Sequence, residues 1–169
     1  MKKVLLSFIA IFVFVQMFGQ GNKEVKPVYR EVSGLEVIQT VYPSAVAVEK
    51  VNNVWFKIVD SGKKILGYTL SSKPYSEGIK GYHNTTPVII VLDPQKVIQK
   101  IALLSNWETA GYIRKLERQN YFNSWNGLKF NEAASKKSSA DSYTGATISA
   151  NAITKNIEIV LKKAAENKI

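Results

Sequence analysis

Three short β-type runs separated by tight turns leave this chain few architectures. Residues 45–51 and 54–60 are rich in β-branched and aromatic side chains, and Asn52-Asn53 between them is a hairpin signal. Ser61-Gly62-Lys63 then turns the chain into a third run over 65–70. Residues 86–92 are a nearly continuous apolar strand, Asp93-Pro94-Gln95 is a tight turn, and 97–104 pairs back as its partner. Hairpin connections of this kind join neighbouring antiparallel strands.

Helical spacing brackets this β region. Leu35, Ile38, Val41 and Tyr42 recur at the helix period until Pro43 ends the element. Residues 71–81 hold a proline and two glycines and read as a loop. A short amphipathic helix is predicted over 112–122, with Ile113, Leu116 and Tyr121 on its apolar side. Trp125 and Phe130 flank Gly127, and residues 131–140 read as a flexible polar stretch. A last helix is predicted over 150–165, its face built from Ile153, Ile157, Val160, Leu161 and Ala164, with Ser149 as N-cap. The fold class expected is α+β: one domain, an antiparallel or mixed sheet of about five strands, packed with an N-terminal helix and C-terminal helices.

Composition narrows the function. A chain of 169 residues with 46% hydrophobic content can bury the core of one domain. It has no cysteine, which excludes disulfides, thiolate metal sites and cysteine nucleophiles. Its single histidine, His83, rules out a multi-histidine metal site and reads as a loop residue. No nucleophile, base and orienting group stand in a spacing that suggests a hydrolase. The net charge of +10 favours anionic partners, yet Lys63-Lys64, Lys136-Lys137 and Lys162-Lys163 are isolated pairs. No nucleic-acid module is visible, so no nucleic-acid partner is expected.

At the N-terminus, Met1-Lys2-Lys3 and an apolar run from Val4 to Val15 have the form of a secretory signal, with cleavage after Gly19 or Gly21. Extended to Phe18, the run still falls short of the roughly 20 residues that cross a bilayer. The expected organisation is a signal peptide over 1–21, a flexible lead-in over 22–33 and one domain over 34–169. Export to the periplasm or cell surface follows, and a retained N-terminal anchor facing the periplasm is the alternative.

The chemistry points to the stretch before the last helix, Asp141-Ser142-Tyr143-Thr144-Gly145-Ala146-Thr147-Ile148-Ser149. Small side chains there let a bulky ligand approach the backbone, and a helix start aims free N–H groups at an anion over Thr147. The same residues also describe an ordinary capped helix start.

Asp141, Thr144, Gly145, Ala146 and Thr147 occupy every fixed position of a pattern that resembles the attachment motif of the FMN-binding domain family. That family includes the flavin-carrying C and G subunits of the bacterial Nqr and Rnf electron-transfer complexes, which keep an N-terminal membrane helix. The resemblance implies FMN held by a phosphoester on the last hydroxyl, here Thr147. It also implies a flavin transferase as partner, using FAD as FMN donor and releasing AMP. Asp141 then serves either the transferase or the loop.

Glu108, Thr109 and Gly111 match the family's Glu-Thr-Pro-Gly, close to the flavin, with Ala110 in place of proline. Gly81-Tyr82-His83-Asn84 partly matches its hairpin entry. By resemblance the cofactor-binding set is Thr147, Thr144, Gly145, Ala146, Asp141, Glu108 and Thr109, with no catalytic residue and no metal. On spacing alone, Glu108 reads equally as a surface carboxylate in a turn. Tyr68, Tyr82, Trp107 and Tyr112 are the candidate flavin-ring neighbours.

Two functions follow. One is an exported electron carrier with covalent FMN, serving membrane-bound or periplasmic redox partners and more a redox protein than a stand-alone enzyme. The other is an exported binding module of the same fold that holds no flavin and uses its basic surface for a ligand or partner.

Overall fold

The computed structural model describes residues 26–136 and 147–169. Five strands form one sheet: β1 (Ala47–Lys50), β2 (Phe56–Val59), β3 (Ile65–Ser71), β4 (Val88–Leu92) and β5 (Ile98–Leu103). They lie side by side in chain order and every neighbouring pair is antiparallel. Of the two sheet types expected, the antiparallel one is found, and the class is α+β.

The turns set this order. Asp60 Oδ1 accepts from the backbone N–H groups of Gly62 and Lys64, both at 2.9 Å, and Lys63 takes a φ of 63°. Asp93 Oδ1 repeats the device with Gln95 and Val97 at 2.9 Å, and Lys96 has a φ of 64°. In both, a short acidic side chain replaces the backbone partners that a tight reversal removes. Asn52 Oδ1 accepts from Val54 and Trp55, which widens the first turn and delays β2 to Phe56.

Both faces of the sheet are covered at β4, whose five residues are all buried. Val88, Ile90 and Leu92 face the longest helix, α4 (Thr147–Glu166), while Ile89 and Val91 face α1 (Gly34–Gln39). That split is the two-residue alternation of a strand, read on two cores instead of one core and solvent. On α4, Ile153, Ile157, Val160, Leu161 and Ala164 are fully buried, as their spacing predicted. Trp55 closes the far end, its Nε1 donating to the Ala164 carbonyl at 3.1 Å.

Three local expectations need correction. The helix placed at 112–122 is α2 (Ala110–Arg118), and Tyr121 lies beyond it. Asn120 adopts a φ of 55°, Asn120 N donates to Glu117 O and Tyr121 N to Leu116 O, each at 3.0 Å. This paired closure ends a helix and swings the next apolar residue into the core. A 3₁₀ turn, Phe122–Trp125, follows.

The stretch 131–140, read as flexible, begins inside α3 (Phe130–Ser135). Glu132 accepts from Lys129 N at 3.2 Å, and Ala133 is buried in the core that α4 shares. Local capping plus one buried methyl outweigh the polar composition. Finally, Ser149 is not an N-cap. Helix α4 starts two residues earlier, at Thr147, and Ser149 is buried in its first turn.

Residues 1–21, expected to be a signal peptide, and the first part of the expected lead-in lie outside the described residues. Among the described residues no helix is long and apolar enough to cross a membrane.

Candidate functional site

The site gathers where the β5–α2 connection meets the start of α4. The chain leaves β5 through Asn106, which is buried. Asn106 Nδ2 donates to Leu104 O at 2.7 Å, and Asn106 Oδ1 accepts from Glu108 N at 3.0 Å. This side-chain brace turns Glu108 inward. Arg30 and Asn106 exchange backbone hydrogen bonds of 2.8 and 3.0 Å on the outer side.

Glu108 is only 3% exposed, so it is not the surface carboxylate that spacing also allowed. Its Oε1 accepts from His83 N at 3.0 Å, and its Oε2 from Tyr82 N at 3.3 Å. Oε2 also accepts from the hydroxyl of Ser149 on α4. All three donors are neutral. Burial of a carboxylate is tolerated when hydrogen bonds replace its hydration, and charge-assisted bonds are the stronger ones. Glu108 therefore ties three segments together: the loop at 81–83, the entrance to α2 and the first turn of α4.

Thr109 caps α2 from the extended region without a side-chain bond to the helix. Its Oγ1 pairs instead with His83 Nε2 at 3.2 Å, so His83 has a partner that the sequence did not reveal. Ala110 is the first residue of α2, a position where proline also fits because its missing N–H is an orphan there anyway.

Of the expected attachment segment, Asp141, Thr144, Gly145 and Ala146 lie outside the described residues. Thr147 is the first residue of α4 and is half-buried. Ser149, two residues on, carries the link to Glu108. The structure thus joins Glu108, beside Thr109, to the helix turn that also holds Thr147.

Aromatic residues rim it. Tyr82 meets His83 edge-on at 4.7 Å and Tyr112 at 6.1 Å, and Trp107 meets Tyr29 at 5.0 Å. Tyr82, Trp107, Tyr112 and Tyr29 are all exposed. Tyr68 is not among them: it packs edge-on against Trp55, 6.0 Å away in the α4 core. Tyr29 joins the rim unannounced, because only the tertiary pairing of Arg30 with Asn106 carries it there. Nothing local to the sequence shows that the missing side chain of Gly81 makes room for Glu108. Among the described residues no group of His, Cys, Asp and Glu could hold a metal ion.

An antiparallel meander with a long helix on one face, its first turn tied to Glu108, defines a small α+β domain. The sequence model of the FMN-binding domain family matches residues 81–162. The match begins at Gly81, takes in Glu108, Thr109, Thr147 and Ser149, and ends within α4. Residues 81–162 are assigned on that match to the FMN-binding domain family. No curated protein matches it.

Proposed function

We propose that the chain is an exported electron-transfer flavoprotein that carries FMN covalently, through a phosphoester to Thr147. The observation behind this is that one stretch, 81–162, matches the family and includes both the Glu108 loop and Thr147, in the first described turn of α4. Thr147 lies at the N-terminal end of α4 as described, where the helix dipole is positive. A phosphate ester suits that place. The residues present suit the cofactor in polarity as well. The Thr147 hydroxyl would hold the phosphate end, and exposed Tyr82, Tyr112 and Trp107 would be the candidates to meet the ring.

Bound FMN supplies the one- and two-electron chemistry, and the protein supplies position and surroundings. In this reading Thr147 is a tether. Glu108 and Thr109 hold the loops around it, and neither donates nor accepts electrons. The partners are a flavin transferase that takes FAD as donor, and membrane-bound or periplasmic redox proteins. Export rests on the form of residues 1–21.

The test is to coexpress the full chain with a flavin transferase in a host that exports it, then to measure intact mass and in-gel flavin fluorescence. The expected gain is one FMN less one water, lost in Thr147→Ala and kept in Thr144→Ala. Exported protein that stays colourless and unmodified, with an active transferase present, would overturn the reading in favour of a flavin-free binding module.

A further inference from the structure

Two alcohols stand in the described part of the attachment segment, at Thr147 and Ser149, and the geometry around Ser149 separates them. Ser149 is 1% exposed and its proton is committed to Glu108 Oε2. Thr147, on the same helix turn, is half-buried and so still reachable from solvent. Glu108 cannot follow Ser149 if that helix start moves. It is fixed from behind by the N–H groups of Tyr82 and His83, from the side by Asn106, and against a glycine that admits no side chain.

We infer that Ser149 and Glu108 form a positioning clamp for the modification of Thr147. Ser149 withdraws its own hydroxyl from reaction and locks the first turn of α4 to the Glu108 loop, so that Thr147 is the alcohol presented. Glu108 is then a positioning residue that acts through Ser149, not a flavin contact. The inference rests on the phosphoester reading above and adds to it the residues that decide where the ester forms.

The step itself balances simply. The bond formed joins Thr147 Oγ to the FMN phosphorus of FAD, and the bond broken is the pyrophosphate P–O bond. AMP leaves with that electron pair, and the hydroxyl proton goes to solvent. Nothing is oxidised or reduced. The clamp supplies only orientation, where a displacement of about 1 Å can cost on the order of a hundredfold in rate.

The experiment uses the mature full-length chain as the substrate of a flavin transferase with FAD. Loading is followed by flavin fluorescence and the site is mapped by peptide mass. Ser149→Ala is expected to lower the loading rate at saturating protein about tenfold or more, with much less change in KM, the signature of an interaction that matters in the transition state. Ser149→Thr, which restores a hydroxyl, is expected to recover most of that rate. Glu108→Gln is expected to resemble Ser149→Ala, because an amide NH₂ would face donors. Hydrogen exchange at the amides of 147–150 should quicken in Ser149→Ala while the rest of α4 is unchanged.

Loading of Ser149→Ala at the wild-type rate overturns the clamp. So does failure of Ser149→Thr to recover the rate while it melts at the wild-type temperature. These results are distinct from failure of the underlying reading, in which the wild-type chain itself takes up no FMN under conditions that load a known substrate of the transferase.

Discussion

Gly81 lies so close to the Glu108 carboxylate that a Cβ on its backbone would stand 2.6 Å from Oε1 and 2.8 Å from Thr86 Cγ2. Neither neighbour is free to give way. The carboxylate is held by two backbone N–H groups and a serine, and Thr86 is fully buried. Gly81→Ala should therefore behave as overpacking and destabilise the fold by about 1–3 kcal/mol. Gly78→Ala is its control, since nothing lies within 4 Å of the added carbon. It should stay within about 0.5 kcal/mol of wild type, as surface changes do. Urea unfolding of both variants checks the pair, and equal midpoints would show that the contact carries no strain.

A second polar junction pins α4 to the sheet from within. Asn156 is fully buried; its Oδ1 accepts from Ser76 Oγ at 2.5 Å, and its Nδ2 donates to Thr86 Oγ1 at 3.2 Å and Ala152 O at 3.0 Å. Ser72 extends the chain of bonds, accepting from Val88 N at 2.8 Å. Removing one member leaves the others dry and unpaired, so Asn156→Ala should cost about 1–3 kcal/mol or more. Thermal unfolding measures it. Because Thr86 borders Gly81, fluorescence of Trp107 should also report the change if the junction is continuous with the site.

The Tyr29–Trp107 contact is exposed on both sides, with 49% and 40% of each residue accessible. An aromatic pair contributes about 0.5–1.5 kcal/mol beyond its buried area, and exposure places this one at the low end. A double-mutant cycle with Tyr29→Ala and Trp107→Ala should give a coupling near 0.5 kcal/mol. A coupling of zero would mean that the Arg30–Asn106 backbone bonds alone hold the lead-in at the site.

Tyr42 links alkaline stability to the fold. Burial pushes its phenol upward, and the charge of Asp93 adds to the effect. Its hydroxyl donates to Leu92 O at 3.4 Å. A phenol whose folded pKa is raised favours the neutral form in the folded state. Its contribution is complete below the unfolded value and lost as pH rises through the folded value. Tyr42→Phe should therefore flatten the decline of stability above about pH 10, the ordinary tyrosine value. Denaturant midpoints for both proteins between pH 9 and 11.5 test this, and parallel curves would exclude Tyr42 as the source.

Much of the architecture was legible because its signals are local. The strands announce themselves by β-branched runs, the reversals by Asp60 and Asp93 with their nearby glycine and proline, and α4 by its apolar period. The pattern ending at Thr147 is contiguous as well and lies inside the stretch that matches the family. Errors arose where local composition met a distant partner. A polar stretch became α3 because Ala133 had a core to enter, and Ser149 looked like a cap because its partner is 41 positions away.

By itself, then, the sequence determined the run of short strands with their reversals and the long terminal helix, since each depends on spacing within a dozen or so residues. Only the tertiary structure decided that Glu108 is buried and that it accepts hydrogen bonds from Tyr82 N, His83 N and the Ser149 hydroxyl. It alone decided that Tyr29 stands beside Trp107 and that Gly81 must lack a side chain. Those facts follow from which segments share a small volume. Burial and hydrogen-bond partnership are properties of that volume, and no short window of residues contains them.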